Sequence, residues 1–383
     1  MLNISFESKL PQTEKSIFSK MSAIANEYKA INLSQGFPNF DPDFTLIELV
    51  HKYMKAGKNQ YAPMAGTPEL LQAIQLKIKA HRGLEIHEDQ LCITAGATQA
   101  IYTAISAVVK PGDEVICIDP AYDSYKPAII TNGGQPISYG LEAPSFKIDW
   151  DKLEALMNAK TKLLILNNPH NPLGICYSKE DLTRLGQLAE KYDCLVISDE
   201  VYEHLVFDDQ KHISALEIPS LKDRSFVTYS FGKTFHITGW KMGYCIASPL
   251  LMEEFKKIHQ FTVFSVNTPA QLAIAEYLGM NSWKTLPAFF QQKRDLLMQY
   301  LDQSPFQVKA SAGTYFQLVD YSAISQQVDT EFAMELIKSI GVATIPVSVF
   351  YDQAPKQQLL RICFAKTDEL LHQAGERMIS LNN

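Results

Sequence analysis

The sequence lacks the long apolar runs and basic runs that mark membrane and nucleic-acid-binding proteins. It contains no stretch of about 18 consecutive apolar residues, which excludes a helix that crosses a bilayer. It has no run of Lys and Arg, and its net charge of −7 argues against a nucleic-acid partner. The first residues, MLNISFESKLPQTEKSIF, contain no apolar signal core. These absences predict a cytoplasmic protein.

Paired cysteines are also missing. None of the six cysteines forms a CxxC motif, and several lie in apolar runs typical of strands. This distribution favours buried free thiols in a reducing compartment over a disulfide framework or a zinc site, so we expect no bound metal. With 383 residues, 46% of them hydrophobic and 20% charged, the chain is typical of a globular enzyme of two domains.

Short apolar runs alternate with helical patterns from residue 91 onward. The strand patterns are LCIT, EVICID, LLILN, CLVIS, FVTYS and GYCIA. Near-continuous apolar strands joined by helices predict an α/β fold with a mostly parallel sheet, covered by helices on both faces. We interpret residues 46–284 as a large domain built on such a sheet, with seven strands.

The two ends of the chain have a different texture. Residues 1–45 read as an irregular arm, because Gly36, Pro38 and Pro42 interrupt any regular pattern. Residues 285–383 mix helices with the strand patterns FQVKA, GTYFQLVDY and LLRICFA. We predict that this last segment forms a smaller α+β domain, to which the N-terminal arm contributes.

One lysine, Lys233, stands among apolar and aromatic residues in the stretch SFGKTFHITGWKMGY. Desolvation would disfavour its ammonium form and lower its pKa, which leaves an amine able to attack a carbonyl. Ser230 and Lys241 supply a hydroxyl and a second cation that suit a phosphate. Pyridoxal phosphate requires an amine that forms an imine, next to a phosphate site. The ordinary alternative is a solvated surface lysine.

Further candidate groups follow predicted strands, and ligands of such sheets bind beyond the C-terminal strand ends. The small residues 96–98, GAT, open a helix whose N-terminus suits a phosphate. The loop NPHNPLG holds polar amides, although it can also be a plain connection. Asp199 can pair with a pyridinium nitrogen or cap a helix, and we expect Tyr202 one helical turn later on the same face.

In combination these motifs resemble the fold-type I pyridoxal-phosphate aminotransferases. The segments GAT, NPHNP, SDEVY, SFGKTF with GWKMGY, and RICFA occur in the family's order over essentially the whole chain. The stretches LSQGFPNFDPD, NQYAPMAGTPEL and RICFAKTDELLHQAGERM resemble most closely the methionine aminotransferases and their kynurenine aminotransferase and cysteine-conjugate lyase relatives.

The resemblance implies pyridoxal 5'-phosphate as the cofactor and a role for each matching residue. Lys233 would carry the cofactor as an imine and move the substrate proton, and Asp199 would pair with the ring nitrogen. Asn171 and Tyr202 would hydrogen-bond the phenolate, and Tyr122 would stack on the ring. The implied phosphate ligands are Gly96, Ala97, Thr98, Ser230 and Lys241, with Tyr61 reaching the phosphate of the partner subunit in a homodimer with shared active sites.

The resemblance also implies a substrate site. Arg361 would clamp the substrate carboxylate as a bidentate fork. The other expected pocket residues are Gly36, Asn171, Phe18, Tyr125 and Phe264. Dicarboxylate-specific relatives carry a further cation after the imine lysine, whereas QFTVFSVNTP here has two phenylalanines and no Arg or Lys. We therefore expect transamination of methionine and aromatic amino acids to a 2-oxo acid, with ping-pong kinetics and aspartate as a poor donor.

Two positions depart from the family pattern, and two other functions remain open. Many relatives have Arg where Lys241 stands, and some have a second phosphate-binding Ser where Gly232 stands. A kynurenine aminotransferase or a cysteine-conjugate β-lyase would use the same residues. A non-enzymatic regulator with an aminotransferase-like domain would need a DNA-binding module, and the resemblance leaves no spare segment for one.

Overall fold

A computed structural model describes residues 7–11 and 15–382 of the chain. The strands are β1 (Ile31–Asn32), β2 (Leu91–Thr94), β3 (Glu114–Asp119), β4 (Gln135–Gly140), β5 (Thr161–Asn167), β6 (Leu195–Asp199), β7 (Ser225–Ser230), β8 (Gly243–Ile246), β9 (Gln307–Val308), β10 (Phe316–Asp320), β11 (Val342–Ala343), β12 (Ile345–Pro346) and β13 (Leu359–Cys363). The helices are α1 (Ile17–Glu27), α2 (Phe44–Lys55), α3 (Pro68–Arg82), α4 (Ala97–Val108), α5 (Tyr125–Thr131), α6 (Trp150–Ala155), α7 (Lys179–Lys191), α8 (Pro219–Lys222), α9 (Phe231–Thr234), α10 (Pro249–Thr262), α11 (Thr268–Gly279), α12 (Leu286–Leu301), α13 (Asp329–Ser339) and α14 (Asp368–Ile379).

A seven-stranded sheet with the order β2-β8-β7-β6-β5-β3-β4 forms the centre of the molecule. The pairs among β3 to β7 are parallel, and β8 runs antiparallel to both of its neighbours. The predicted mostly parallel sheet is therefore confirmed. Its seventh strand, β4, has no continuous apolar run because it lies at the edge of the sheet and remains half-exposed.

Hydrophobic cores lie on both faces of this sheet. Ile165 of β5 packs in one core with Ile101 of α4 and Phe255 of α10. The next residue along the chain, Leu166, enters the opposite core with Leu185 of α7. Successive side chains of a strand point to opposite faces, so burial on both faces requires the near-continuous apolar runs seen in the sequence. The α/β layering is confirmed.

A smaller antiparallel sheet, ordered β12-β13-β10-β9, lies in the C-terminal part of the chain. Strand β1, from the N-terminal part, pairs in parallel with β11. Residues from both ends of the chain therefore meet, as the smaller α+β domain requires. The boundaries at residues 45 and 284 stay a prediction.

Two local expectations were wrong. Residues 17–27 form helix α1 and not an irregular arm, because the Ser16 hydroxyl accepts a hydrogen bond of 3.3 Å from the Ser19 N–H and Met21 and Ala25 bury one face. Asp199 ends β6 without starting a helix, since turns occupy residues 201–204. Tyr202 thus does not follow Asp199 by a helical turn.

The cysteines are free, and five of the six are buried, with Cys176 half-buried. This confirms the expected thiol burial. In the described part of the chain, no helix has the length and apolar character needed to cross a membrane.

Candidate active site

A cavity of about 280 Å³ opens at the carboxyl ends of the central strands. Residues that follow β2, β5, β6 and β7 form one side of it, and residues from the N-terminal segment and the smaller sheet form the other. The structure brings most of the sequence-predicted site residues together around it: Phe18, Gly36, Gly96, Ala97, Thr98, Tyr122, Asn171, Asp199, Tyr202, Ser230, Lys233, Lys241 and Arg361.

The amine of Lys233 is held inside this cavity. Its Nζ donates a hydrogen bond of 3.0 Å to the carbonyl oxygen of Gly36 and lies 5.8 Å from the centre of the Tyr202 ring. Burial lowers the pKa of Lys233 to about 8. An amine with such a pKa is uncharged in a useful fraction near neutral pH, so it can act as a nucleophile and a base.

Asp199 lies at the C-terminal end of β6, 4% exposed. Burial raises the pKa of this carboxyl to about 6, and the hydrogen bond from the Tyr125 hydroxyl opposes that rise. The hydroxyl lies 2.5 Å from Oδ2 of Asp199, and Tyr125 itself is 2% exposed. Tyr125 is not among the residues that line the cavity, and the expectation that it contributes to the substrate pocket stays a prediction.

Arg361 is a fully buried cation on β13. Its Nη1 donates to Oδ1 of Asn171 at 2.9 Å, and its Nη2 donates to the carbonyl oxygen of Ser34 at 2.9 Å. The guanidinium carbon lies 3.9 Å from the centre of the Phe316 ring and 5.2 Å from that of Phe18. Within residues 7–11 and 15–382, no carboxylate forms an ion pair with it.

The described residues therefore leave the positive charge of Arg361 without an anionic partner. Burial lowers its pKa to about 10, and its Nε has no hydrogen-bond partner in the described structure. A buried cation is costly without a counter-ion. A carboxylate that enters the cavity would provide one in the bidentate geometry that Arg favours.

The opposite end of the cavity suits a phosphate. Gly96 precedes α4 with a φ of 80°, and a Cβ at this position would lie 3.4 Å from Nζ of Lys241. The Ser230 hydroxyl oxygen accepts from the Lys233 N–H at 3.3 Å, which leaves the hydroxyl proton free to donate. Backbone N–H groups at a helix start, a hydroxyl and an ammonium together fit a phosphorylated cofactor.

The departure at Gly232 has a steric reason. A Cβ at Gly232 would lie 3.0 Å from Cα of Thr238, which is backbone and cannot yield cheaply, and 3.3 Å from Oγ of Ser230. A second serine would therefore disturb the segment that connects Lys233 to Lys241. The site therefore has the Ser230 hydroxyl and no side chain at position 232.

Two expected site residues lie outside the cavity of their own chain. Tyr61 is 82% exposed and Phe264 is 44% exposed, and their rings meet edge to face with 5.4 Å between the centres. Neither lines the cavity. Phe264 does not line the cavity of its own chain, and the expectation that it lines a substrate pocket stays a prediction. Tyr61 was expected to act on a partner, which its exposure permits.

Sequence reasoning missed several residues that complete the site. Asn167 donates from Nδ2 to the carbonyl oxygen of Asp199 at 2.8 Å and accepts the N–H of Asn171 at 2.7 Å, so it ties the ends of β5 and β6 together. The hydroxyl of Tyr315 donates to the carbonyl oxygen of Gly36 at 2.6 Å. The polar residue that ends an apolar strand was a usable signal for Asn167, whereas nothing local marked Tyr315.

Among the described residues, a group of potential metal ligands lies apart from the cavity: His81, Glu203 and His204. Both carboxylate oxygens of Glu203 already bond to buried cations, one to Lys77 and the other to Arg82 at 2.9 Å. A divalent ion would add further positive charge beside these two cations, at a large electrostatic cost. We read the group as a buried ion-pair network.

Comparisons with known proteins agree with this geometry. The family model for aminotransferase class I and II matches residues 28–378. The chain is 47% identical over 378 residues to a methionine aminotransferase of Escherichia coli K12, covering 98% of both chains. It is 34% identical over 408 residues to a kynurenine–oxoglutarate transaminase of Dictyostelium discoideum, covering 96% of this chain and 94% of the relative.

A solved structure shows the same fold throughout. The structure of Escherichia coli YbdL, for which a methionine aminotransferase function was identified, superposes with a TM-score of 0.96 at 46% identity. The match covers 98% of this chain and 100% of that one. The whole chain, and not one part of it, is therefore similar to these proteins.

Proposed function

The chain belongs to the class I and II aminotransferase family, and from that premise we propose that it uses pyridoxal 5'-phosphate to move the amino group of methionine and of aromatic amino acids to a 2-oxo acid. The observation that carries this proposal is the pairing in one cavity of a half-buried amine, Lys233, with a buried guanidinium, Arg361, that lacks a carboxylate partner among the described residues.

The residues of the cavity fit the cofactor at each of its polar groups. Gly96, Ala97, Thr98, Ser230 and Lys241, which all line the cavity, would bind the phosphate. Asp199 would hold a proton on the ring nitrogen, because a carboxylate stabilises a cation placed beside it. Asn171 and Tyr202 would bond the ring oxygen, and Tyr122 would lie against the ring. Bound pyridoxal phosphate supplies an aldehyde that condenses with amines and a ring that accepts an electron pair.

The protein's own groups then bind the amino acid and move its proton. Arg361 orients the substrate through its carboxylate, which directs the Cα–H bond toward the Lys233 amine. Lys233 removes the proton from the substrate Cα and later delivers a proton to the carbon on the other side of the amino nitrogen. Water then releases the 2-oxo acid. A second oxo acid reverses these transfers, and the kinetics should be ping-pong.

The walls of the cavity favour apolar side chains. Phe18, Phe37 and Phe316 line it, and its only cations among the described lining residues are Lys233, Lys241 and Arg361. These three are assigned to the proton transfer, the phosphate and the substrate α-carboxylate. A second substrate carboxylate would be left without a partner, which costs several kcal/mol. A thioether gains about 0.3–1.5 kcal/mol from a contact with an aromatic ring.

The test is a comparison of kcat/KM for methionine, phenylalanine, histidine and aspartate with one common oxo-acid acceptor. Methionine should exceed aspartate by about 100-fold or more, as a buried unpaired carboxylate would dictate. Equal kcat/KM values for methionine and aspartate would refute the substrate assignment, because they would require a further cation that the described lining residues do not include. Kynurenine belongs in the same screen, since a flat ring fits the same aromatic walls.

We also propose a homodimer with shared active sites, in which Tyr61 of one copy reaches the phosphate end of the other. Its support is the 82% exposure of a large aromatic residue that packs on Phe264 and not in its own cavity. Exposed aromatic side chains are typical of interfaces.

A further inference from the structure

The backbone of residues Leu33–Phe37, which we call the carbonyl strip, borders the cavity. Every carbonyl oxygen of the strip accepts a hydrogen bond. The donors belong to the smaller sheet or to residues next to its strands, and Lys233 is one further donor. The bonds are from Cys363 N–H to Leu33 at 2.8 Å, from Arg361 to Ser34 at 2.9 Å, from Lys366 to Gln35 at 3.2 Å, from Tyr315 and Lys233 to Gly36 at 2.6 and 3.0 Å, and from Lys366 to Phe37 at 2.8 Å.

Lys366 is the member of this set whose role neither the family motifs nor the mechanism explains. It is 2% exposed, three residues after the end of β13. In the described parts of the chain, no carboxylate forms an ion pair with it. Its ammonium instead donates to two backbone carbonyls and lies 5.5 Å from the centre of the Phe37 ring. Burying a cation that is bonded only to backbone oxygens costs more free energy than burying a neutral donor at the same place.

The two carbonyls that Lys366 holds flank Gly36 on either side. The carbonyl between them is the acceptor of the Lys233 amine. Gly36 packs closely against the smaller sheet and leaves no room for a side chain, because a Cβ on it would lie 2.8 Å from Cζ of Phe316. Lys366 therefore restrains the one backbone oxygen that contacts the reactive amine and the one aromatic residue of the strip, Phe37, that lines the cavity.

We propose that Lys366 is a positioning residue that sets the affinity for apolar substrates by holding the carbonyl strip against the cavity. The inference deepens the proposed methionine and aromatic specificity and rests on it. With the strip held, Phe37, which lines the cavity, presents its ring to a long apolar side chain. Without Lys366, the carbonyls of Gln35 and Phe37 lose their buried donor and the strip loosens.

The test compares K366M with K366R and with K338M, a control that removes an exposed lysine from α13. K366M should raise KM for methionine about tenfold, which corresponds to about 1.4 kcal/mol, while kcat changes less than about threefold. KM for alanine should rise less, because its methyl group is too short to use the Phe37 ring. K366R retains donors for both carbonyls and should recover most of the methionine affinity, and K338M should match the wild type.

Hydrogen exchange supplies a second readout that needs neither substrate nor turnover. In K366M, amides of residues 33–37 should exchange faster, while those of β5 and β6 keep their wild-type protection. Wild-type exchange in residues 33–37, or an equal rise throughout the sheet, would overturn the proposal, as would a kcat and KM that change together. If K366M does not fold, K366Q replaces it: retaining one donor, it should give intermediate KM and exchange, and wild-type values of both would overturn the proposal.

The two proposals fail in different ways. A wild-type protein that transaminates other amino acids but not methionine refutes the substrate assignment. The exchange comparison still decides whether Lys366 holds the carbonyl strip, because it is made on the protein without substrate.

Discussion

The hydroxyl of Tyr125, a residue that does not line the cavity, donates a hydrogen bond of 2.5 Å to Oδ2 of Asp199, which does. Both residues are almost fully buried. The bond favours the charged carboxylate, whereas burial favours the neutral acid, and burial prevails because the pKa is raised to about 6. The carboxylate that we assign to the ring nitrogen is thus oriented and partly stabilised by a residue that does not line the cavity.

Replacing Tyr125 with Phe tests this relationship. Loss of a hydrogen bond to a charged group should raise the pKa of Asp199 further, by about one unit. Since the charged form is the one that holds the ring nitrogen's proton, cofactor binding should fail at a higher pH than in the wild type. The measurement is the pH dependence of cofactor binding to the apoprotein, followed by absorbance.

The matched control is Y177F, which removes another buried tyrosine hydroxyl, one without a hydrogen-bond partner in the described structure. Its pH midpoint should equal that of the wild type. A midpoint in Y125F that is unchanged or lower would show that the Tyr125 bond does not support the charged carboxylate.

Replacing Lys233 with Ala should abolish both the visible absorbance of the covalently bound cofactor and transamination. A positioned base contributes about 10²–10⁴-fold to a rate, and here the same amine also anchors the cofactor. Borohydride reduction followed by peptide mapping should find the cofactor on Lys233 in the wild type and in K338A. A cofactor fixed covalently to another lysine in K233A would contradict the assignment.

Replacing Arg361 with Lys should weaken amino-acid binding without weakening cofactor binding. Lysine cannot form the planar fork, and it leaves Oδ1 of Asn171 or the Ser34 carbonyl without its donor. We expect kcat/KM for methionine to fall about 100-fold, mainly through KM.

The control for Arg361 is R294K, which alters a second buried arginine, bonded through its fork to Asp208 away from the cavity. It should keep the wild-type KM even if its melting temperature falls. A KM within threefold of the wild type in R361K would remove Arg361 from the substrate site.

Mixing two inactive variants tests the shared site. If Tyr61 acts on the partner's phosphate end, a mixed dimer of Y61A and K233A contains one site with both residues intact. Random exchange of subunits in a symmetric dimer should then restore about a quarter of the wild-type activity. If Tyr61 serves its own chain, both sites stay damaged and mixing restores nothing. Sedimentation of the wild-type protein at micromolar concentration should show a dimer.

The features that were predictable from the sequence are those that depend on neighbouring residues. The apolar runs of β2, β3 and β5 to β8 identified six strands of the central sheet, because a strand buried on both faces needs an apolar side chain at nearly every position. The residues that follow those strands, among them Asp199 and Asn171, were predictable as cavity residues, since parallel strands end along one edge of a sheet.

Helix starts were predictable for the same reason. Thr67 caps α3 and Pro68 begins it, as the local pattern indicates. Strand β4 was missed because an edge strand that stays half-exposed needs no apolar run. Helix α1 was missed for a similar reason. It is partly exposed, so the apolar periodicity of residues 17–27 is weak, and the turn residues that follow led to the prediction of an irregular arm.

What only the tertiary structure decided are the contacts between residues far apart in the chain. Tyr125 and Asp199 are separated by 74 positions, and Lys366 and Phe37 by 329. Whether an aromatic side chain faces the cavity, packs beneath it or lies on the surface depends on how its element docks. For this reason the sequence did not indicate that Tyr125 and Phe264 lie outside the cavity of their own chain, and Lys366 was overlooked. A local pattern specifies which face of an element is buried, whereas packing of the assembled elements determines what that face meets.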